Sequence, residues 1–100
     1  MCLSPYTPYL LVPTWCVYIL RCADQSLYIG HTHDLEMRMV RHIVGRGCKY
    51  TAARLPVDLV YFEPVEDRII AVAREHQIKR WTRRKKEALV AGDFEMLRRL

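Results

Sequence analysis

Two short runs of strand-forming residues, joined by a polar turn and followed at once by an amphipathic helix, constrain this chain more than any other feature. Trp15 to Leu20 is aromatic and β-branched, Leu27 to Ile29 repeats the pattern, and Ala23-Asp24-Gln25-Ser26 lies between them. Such an arrangement predicts a β-hairpin. Parity decides where its two tyrosines point. A loop of about two or four residues centred on Asp24-Gln25 sends Tyr18 and Tyr28 to opposite faces, whereas an odd loop or a bulge puts both on one face.

Leu35, Met39 and Ile43 are spaced by four, with Val40 and Val44 beside them, which predicts a helix over Asp34 to Val44. Thr32 or His33 is the expected cap, Asp34 and Glu36 suit the positive end of the dipole, and Gly45 suits the C-terminal end. Arg38 and His42 are neighbours one turn apart, away from the apolar stripe, on a polar edge that faces what His31 faces. Gly45 to Pro56 reads as a loop rich in glycine and basic residues. Val57 to Glu63 alternates as a third strand and Pro64 ends it. Val65 to Trp81 is the longest predicted helix, with Ile70, Ala71, Ile78 and Trp81 on its buried side, Glu75 at the edge of that stripe and Arg74 nearer its middle. A helix from a Thr82 cap to Gly92 and a last turn from Asp93 to Leu100 complete the chain. Strands followed by helices imply an α+β domain, a three-stranded antiparallel sheet flanked by helices.

With 100 residues the chain is expected to form a single domain over 15–100, preceded by an extended or poorly ordered arm over 1–14 in which Pro5, Pro8 and Pro13 interrupt an apolar patch. That leader lacks the basic start of a signal peptide, and no stretch is long enough to span a membrane. Cys2, Cys16, Cys22 and Cys48 show no paired spacing, which argues against a zinc or dithiol motif and suits reduced thiols in the cytoplasm. A net charge of +5 favours a polyanionic partner. Lys79 to Lys86 holds six basic residues in eight; it suits either a phosphate-binding cluster or a solvated helix junction with Trp81 in the core.

Cys16-Val17-Tyr18, Tyr28-Ile29-Gly30, His31, Arg38, His42, Lys49-Tyr50-Thr51, Leu59-Val60-Tyr61 and Arg74-Glu75 follow one another in an order that resembles the GIY-YIG nuclease superfamily, in particular its small single-domain members. The resemblance spans roughly residues 15–91. It implies that both tyrosines line one site, and so an odd loop of about three or five residues, or a bulge, in the hairpin. Gln25 must then tolerate a geometry for which relatives use glycine.

The resemblance also implies catalytic roles for Tyr18, Tyr28, Arg38, His42 and Glu75. Glu75 would hold Mg²⁺ or Mn²⁺, since hard cations take one or two carboxylates together with water and phosphate. A surface pairing with Lys79 is the plainer reading of Glu75. Arg38 offers a planar fork for phosphate oxygens. Tyr18 would activate water, yet ionising a free tyrosine at pH 7 costs roughly 4 kcal/mol. His42, with an ordinary pKa of about 6.5, would therefore take or share its proton. Tyr28 would hydrogen-bond phosphate, or pack in the sheet like any strand tyrosine. His31, Lys49, Tyr50, Lys79, Arg83 and Arg84 are the expected nucleic-acid contacts, and Gly30 is expected to admit substrate close to the backbone. Cys16 stands where the family name has glycine, and the chain contains no asparagine, which several larger relatives place after the glutamate.

Three functions remain open at this level. One is a divalent-metal-dependent endonuclease acting on DNA by structure more than sequence. Another is a non-catalytic nucleic-acid-binding module whose protein partner supplies specificity. The third, resting on the proline-rich leader, is a protein-interaction domain.

Overall fold

A computed structural model describes residues 15–100 of the chain; the expected arm lies outside the described residues. Three strands and five helices follow in the order β1 (Trp15–Arg21), β2 (Leu27–Thr32), α1 (Leu35–Ile43), α2 (Lys49–Ala52), β3 (Asp58–Val65), α3 (Arg68–Lys79), α4 (Arg83–Ala91) and α5 (Phe94–Arg99). The strands form one antiparallel sheet in the order β2-β1-β3. The architecture is the expected α+β class.

The hairpin has the odd loop. Tyr18 pairs with Gly30 and Leu20 with Tyr28, so the two tyrosines share a face. The Cys22 amide donates to the Ser26 carbonyl and the Gln25 amide to the Cys22 carbonyl, closing a turn that carries Gln25 at φ 72°, the left-handed conformation that glycine takes at least cost. Asp24 steadies this turn by accepting from the Ser26 amide (3.0 Å), and it also accepts from Arg54 Nε (3.1 Å), which ties the hairpin tip to the segment after α2.

Alternation along β1 divides the core in two. Tyr18, Leu20 and Cys22 pack with Val57, Tyr28, Leu35 and Met39 on one face. Val17 and Ile19 pack with Ile29, Ala71, Ile78 and Leu89 on the other. Thus α1 covers the first face, while α3 and α4 cover the second.

Several local expectations change. Asp34 caps α1, accepting from the Met37 amide at 3.1 Å, so neither Thr32 nor His33 does. Leu35 and Met39 face inward as expected, but Ile43 is exposed, and the fully buried residue of α1 is His42. The helix is turned so that Arg38 and His42 meet Tyr18, because those polar groups find partners inside that a surface edge would not provide. The predicted loop contains the short helix α2. Pro64 lies within β3 and does not end it, which an edge strand tolerates because no neighbour needs its missing N–H on the outer side. On α3 the buried residues are Ala71, Glu75 and Ile78, whereas Ile70 is largely exposed. The Thr82 cap, the left-handed Gly92 and the Asp93 cap fall where the sequence puts them.

Candidate functional site

Tyr18 sits at the centre of β1 and is fully buried. Its ring passes over Gly30 on β2, where an added Cβ would lie 2.5 Å from the Tyr18 hydroxyl oxygen. Gly30 therefore makes room for the Tyr18 ring; the expectation that it admits substrate is replaced by this packing role. Passing over that gap, the phenol reaches α1. There Arg38 Nε donates to the Tyr18 oxygen at 3.2 Å, and His42 Nε2 lies 2.9 Å from the same oxygen. Tyr28, on the same face, stands with its ring 6.3 Å from that of Tyr18 and 5.4 Å from that of His42.

The other side of His42 is closed by a residue to which the sequence assigned no role. Thr51 Oγ1, fully buried on α2, lies 2.9 Å from His42 Nδ1 and 3.4 Å from the Cys48 carbonyl oxygen. With the threonine proton given to that carbonyl, its oxygen accepts from His42 Nδ1–H, which leaves the Nε2 lone pair to accept the Tyr18 proton. Every bond then runs one way: Arg38 to Tyr18, Tyr18 to His42, His42 to Thr51, Thr51 to Cys48. Such a chain polarises each member in the same sense. Gly47 is equally tied to this arrangement, since a Cβ there would run into the His42 ring.

Burial and the Arg38 charge push His42 from 6.5 down to about 4, so it is a neutral acceptor at pH 7. Burial raises Tyr18 above its ordinary value of 10.0, and the Arg38 hydrogen bond and charge offset this only in part. The expected relay is therefore harder to drive than unperturbed groups would allow. Both members are also buried, and His42 meets Tyr18 while His31 meets Glu75, so, contrary to expectation, Arg38 and His42 do not face what His31 faces. Arg38, partly exposed, is the member that meets a shallow open cleft of about 340 Å³ lined by Thr32, His33, Asp34, Met37, Arg38 and Arg41.

Glu75 arrives from the opposite side of the sheet. It lies on the buried face of α3, and its carboxylate meets the edge strand β2 at His31, where Nδ1 is 2.6 Å from Oε1. Lys79 Nζ is 2.6 Å from Oε2. Burial pushes the Glu75 carboxyl up, but the bonds and charges of Lys79 and His31 outweigh it and leave the group below its ordinary range. Being ionised, Glu75 can only accept, so His31 Nδ1–H donates. Trp15 stacks on the other side of His31, ring centroids 6.1 Å apart. Glu75 is near enough for its charge to oppose ionisation of Tyr18.

The remaining candidates divide. Tyr50 stacks on Tyr28 at 6.0 Å with the Arg54 guanidinium 3.7 Å from its ring, and Lys49 beside it is exposed. Arg83 and Arg84 lie apart, on α4 against the other face of the sheet. Arg83 bonds to Glu87 and to the Gln25 carbonyl, and Arg84 reaches Met96. Lys85 lies over the half-buried Trp81 ring. The basic run is thus split at the Thr82 cap, and most of it behaves as a helix junction.

Residues 14–88 match the family model of the GIY-YIG catalytic domain. The chain belongs to the GIY-YIG family. Among its relatives, the UPF0213 protein of Haloquadratum walsbyi is 52% identical over 73 residues, covering 73% of this chain and 82% of that protein. The UPF0213 protein of Natronomonas pharaonis is 48% identical over 77 residues, covering 77% and 91%. The solution NMR structure of the UPF0213 protein BH0048 from Bacillus halodurans superposes with a TM-score of 0.52 at 42% identity, over 77% of this chain and 82% of that one. Within this GIY-YIG domain, the first half-motif is Cys16-Val17-Tyr18 and the second is Tyr28-Ile29-Gly30, and their pairing places Tyr18 directly across from Gly30. The second glycine of the family name is thus explained by the first tyrosine.

No group of three or more His, Cys, Asp or Glu side chains among the described residues could cage a metal. A single carboxylate at the sheet edge fits a different kind of site, in which water and substrate phosphate complete the shell of a hard cation. A carboxylate donor of this kind suits a divalent cation.

Proposed function

We propose that this GIY-YIG protein is a divalent-metal-dependent endonuclease that hydrolyses phosphodiester bonds in DNA, choosing substrates by structure more than by sequence. The observation that carries this reading is the chain of contacts that joins Arg38, Tyr18, His42 and Thr51, which with His42 protonated at Nδ1 directs the Tyr18 proton to Nε2. Glu75 would hold the cation, which when bound supplies positive charge for the phosphoryl and leaving oxygens.

Arg38 binds the scissile phosphate as a fork. In turning to it, the side chain uncovers the Tyr18 oxygen and withdraws the charge that depresses His42. Moving the proton outright from Tyr18, raised above 10.0, to His42 near 4 costs upwards of about 8 kcal/mol. The proton therefore stays on the Tyr18 oxygen in the free protein, donated in a hydrogen bond to His42, and it shifts to His42 only as the negative charge of the reacting phosphate raises that imidazole. Tyr28 hydrogen-bonds phosphate beside it. His31, Lys49, Tyr50, Lys79, Arg83 and Arg84 are assigned to the nucleic acid, the first four near the site and the two α4 arginines remote from it. Contacts of this kind go to the backbone and carry little sequence information, so any partner protein would add specificity. Free Cys16, Cys22 and Cys48 suit a reducing cytoplasm.

The test is cleavage of supercoiled, single-stranded, flapped and four-way-junction DNA with Mg²⁺ or Mn²⁺, beside Glu75→Ala and Arg38→Ala. Loss of cleavage in both variants, with Glu75→Ala still binding DNA, is expected. Binding without cleavage on every substrate would select the non-catalytic module, and an active Glu75→Ala would remove the metal role.

A further inference from the structure

Glu75 is a nearly buried carboxylate, its side chain 11% exposed, and each of its oxygens has a partner at 2.6 Å. The two partners differ in how they are held. His31 is fixed on β2, stacked against Trp15, and belongs to the sheet. Lys79 sits one helical turn beyond Glu75, its side chain 49% exposed, beside His76 and Arg80 along a second open cleft of about 280 Å³.

We propose that Lys79 is the resident counter-ion of Glu75, which a divalent cation must displace, and that nucleic-acid phosphate draws the ammonium away so that metal and nucleic acid load together. The proposal rests on the reading of Glu75 as the metal ligand. An exposed Glu–Lys pair on a helix opens freely, because water solvates both ends. Here opening alone would leave a desolvated carboxylate with only His31 for company, which is costly. Lys79 therefore leaves by exchange: another cation must take its place. The ammonium is a point charge on a flexible stem, suited to swinging from carboxylate to phosphate. His76 and Arg80 lie where an approaching phosphate would be attracted. In this arrangement the free protein keeps its carboxylate neutralised and binds metal only weakly, and the cation binds tightly when phosphate supplies both a new partner for Lys79 and further oxygen ligands.

The experiment is Mn²⁺ binding to the full chain without nucleic acid, followed by loss of the free-Mn²⁺ electron paramagnetic resonance signal, for wild type, Lys79→Met and Glu75→Gln. Lys79→Met should bind Mn²⁺ at least about fivefold tighter than wild type, the scale expected from removing a competing ion pair, and Glu75→Gln should bind more weakly than either. Lys79→Met no tighter than wild type, with Glu75→Gln weakened, would overturn the role of Lys79 and leave the metal reading of Glu75 intact. Glu75→Gln equal to wild type would overturn both. A second measurement, the gain in affinity for a non-cleavable phosphorothioate DNA duplex on adding Mn²⁺, should be larger for wild type than for Lys79→Met, because metal and DNA each favour the displaced lysine only where it exists. Equal gains would overturn the coupling to nucleic acid.

Discussion

The two polar centres of this domain lie on opposite faces of the sheet and are built on different principles. Around Tyr18, five groups on β1, α1, α2 and the turn before it bond in one direction, with Tyr18, His42 and Thr51 fully buried. Around Glu75, one carboxylate is held between an imidazole on the sheet and a half-exposed ammonium. A buried network with every donor and acceptor matched is rigid, because any displaced member leaves its partner unpaired in a low-dielectric interior. A half-exposed ion pair is exchangeable, because another cation serves as well. On the proposed reading, proton handling is prebuilt in this protein and charge neutralisation is assembled on demand. Each centre is nonetheless covered by a single cationic side chain that phosphate can attract, Arg38 over Tyr18 and Lys79 on Glu75.

The contrast is breakable at several points. The largest effect should come from acid. His42 has an unfolded pKa of 6.5 and a folded one of about 4, so between those values the unfolded chain binds a proton that the folded chain does not. Its contribution is fully present above pH 6.5 and is lost as pH falls, by about 3 kcal/mol near pH 4. Urea unfolding across that range should show this slope in wild type and a flatter one in His42→Phe. Glu87, held at about 2 chiefly by the hydrogen bonds from Arg21, begins to lose its own contribution only as pH falls towards its unfolded value of 4.5, so the upper part of the window reports His42.

Next is Gly30→Ala. The new methyl would meet the Tyr18 hydroxyl, costing about 2 kcal/mol in thermal unfolding and displacing the phenol from His42 and Arg38, with cleavage lost. A stable, fully active Gly30→Ala would show that the Tyr18 cluster is less rigid than its bonding implies. Thr51→Val removes the acceptor of His42 Nδ1–H and should cost about 1–2 kcal/mol, with ¹⁵N shifts of the imidazole reporting a changed tautomer. Thr51→Ser should restore both the stability and the shifts. The smallest effect belongs to the other centre: Lys79→Met should cost about 1 kcal/mol in the same unfolding measurement, because the half-exposed ammonium is lost but His31 still holds the Glu75 carboxylate. A larger loss there would make Lys79 a structural member and erase the difference between the two centres.

Local patterns were legible in the sequence wherever neighbours along the chain decide them. The hairpin, the caps at Thr82 and Asp93, and the end of α4 at Gly92 depend on turn chemistry and hydrogen bonds within a few residues, whereas the odd loop followed only from the resemblance to the GIY-YIG family. The rotation of α1 was not legible. Leu35, Met39, Ile43 is a sound apolar stripe by spacing, yet Ile43 is exposed, because the value of burying His42 depends on Tyr18 and Thr51, which lie 24 and 9 residues away. Glu75 likewise reads as an edge residue of its helix until His31 of β2 is set against it.

What the amino-acid sequence determined by itself is therefore the inventory and the local geometry: a tyrosine on each strand of a hairpin, an arginine and a histidine one turn apart, a glutamate on a later helix and a surplus of positive charge. Only the tertiary structure decided which polar groups go inside. Gly30 yields its space to Tyr18, Thr51 orients His42, and Lys79 occupies Glu75. The physical reason is that burying a polar group is tolerable only when its partner is buried with it, and these partners come from separate elements that meet only once the sheet and its covering helices have packed.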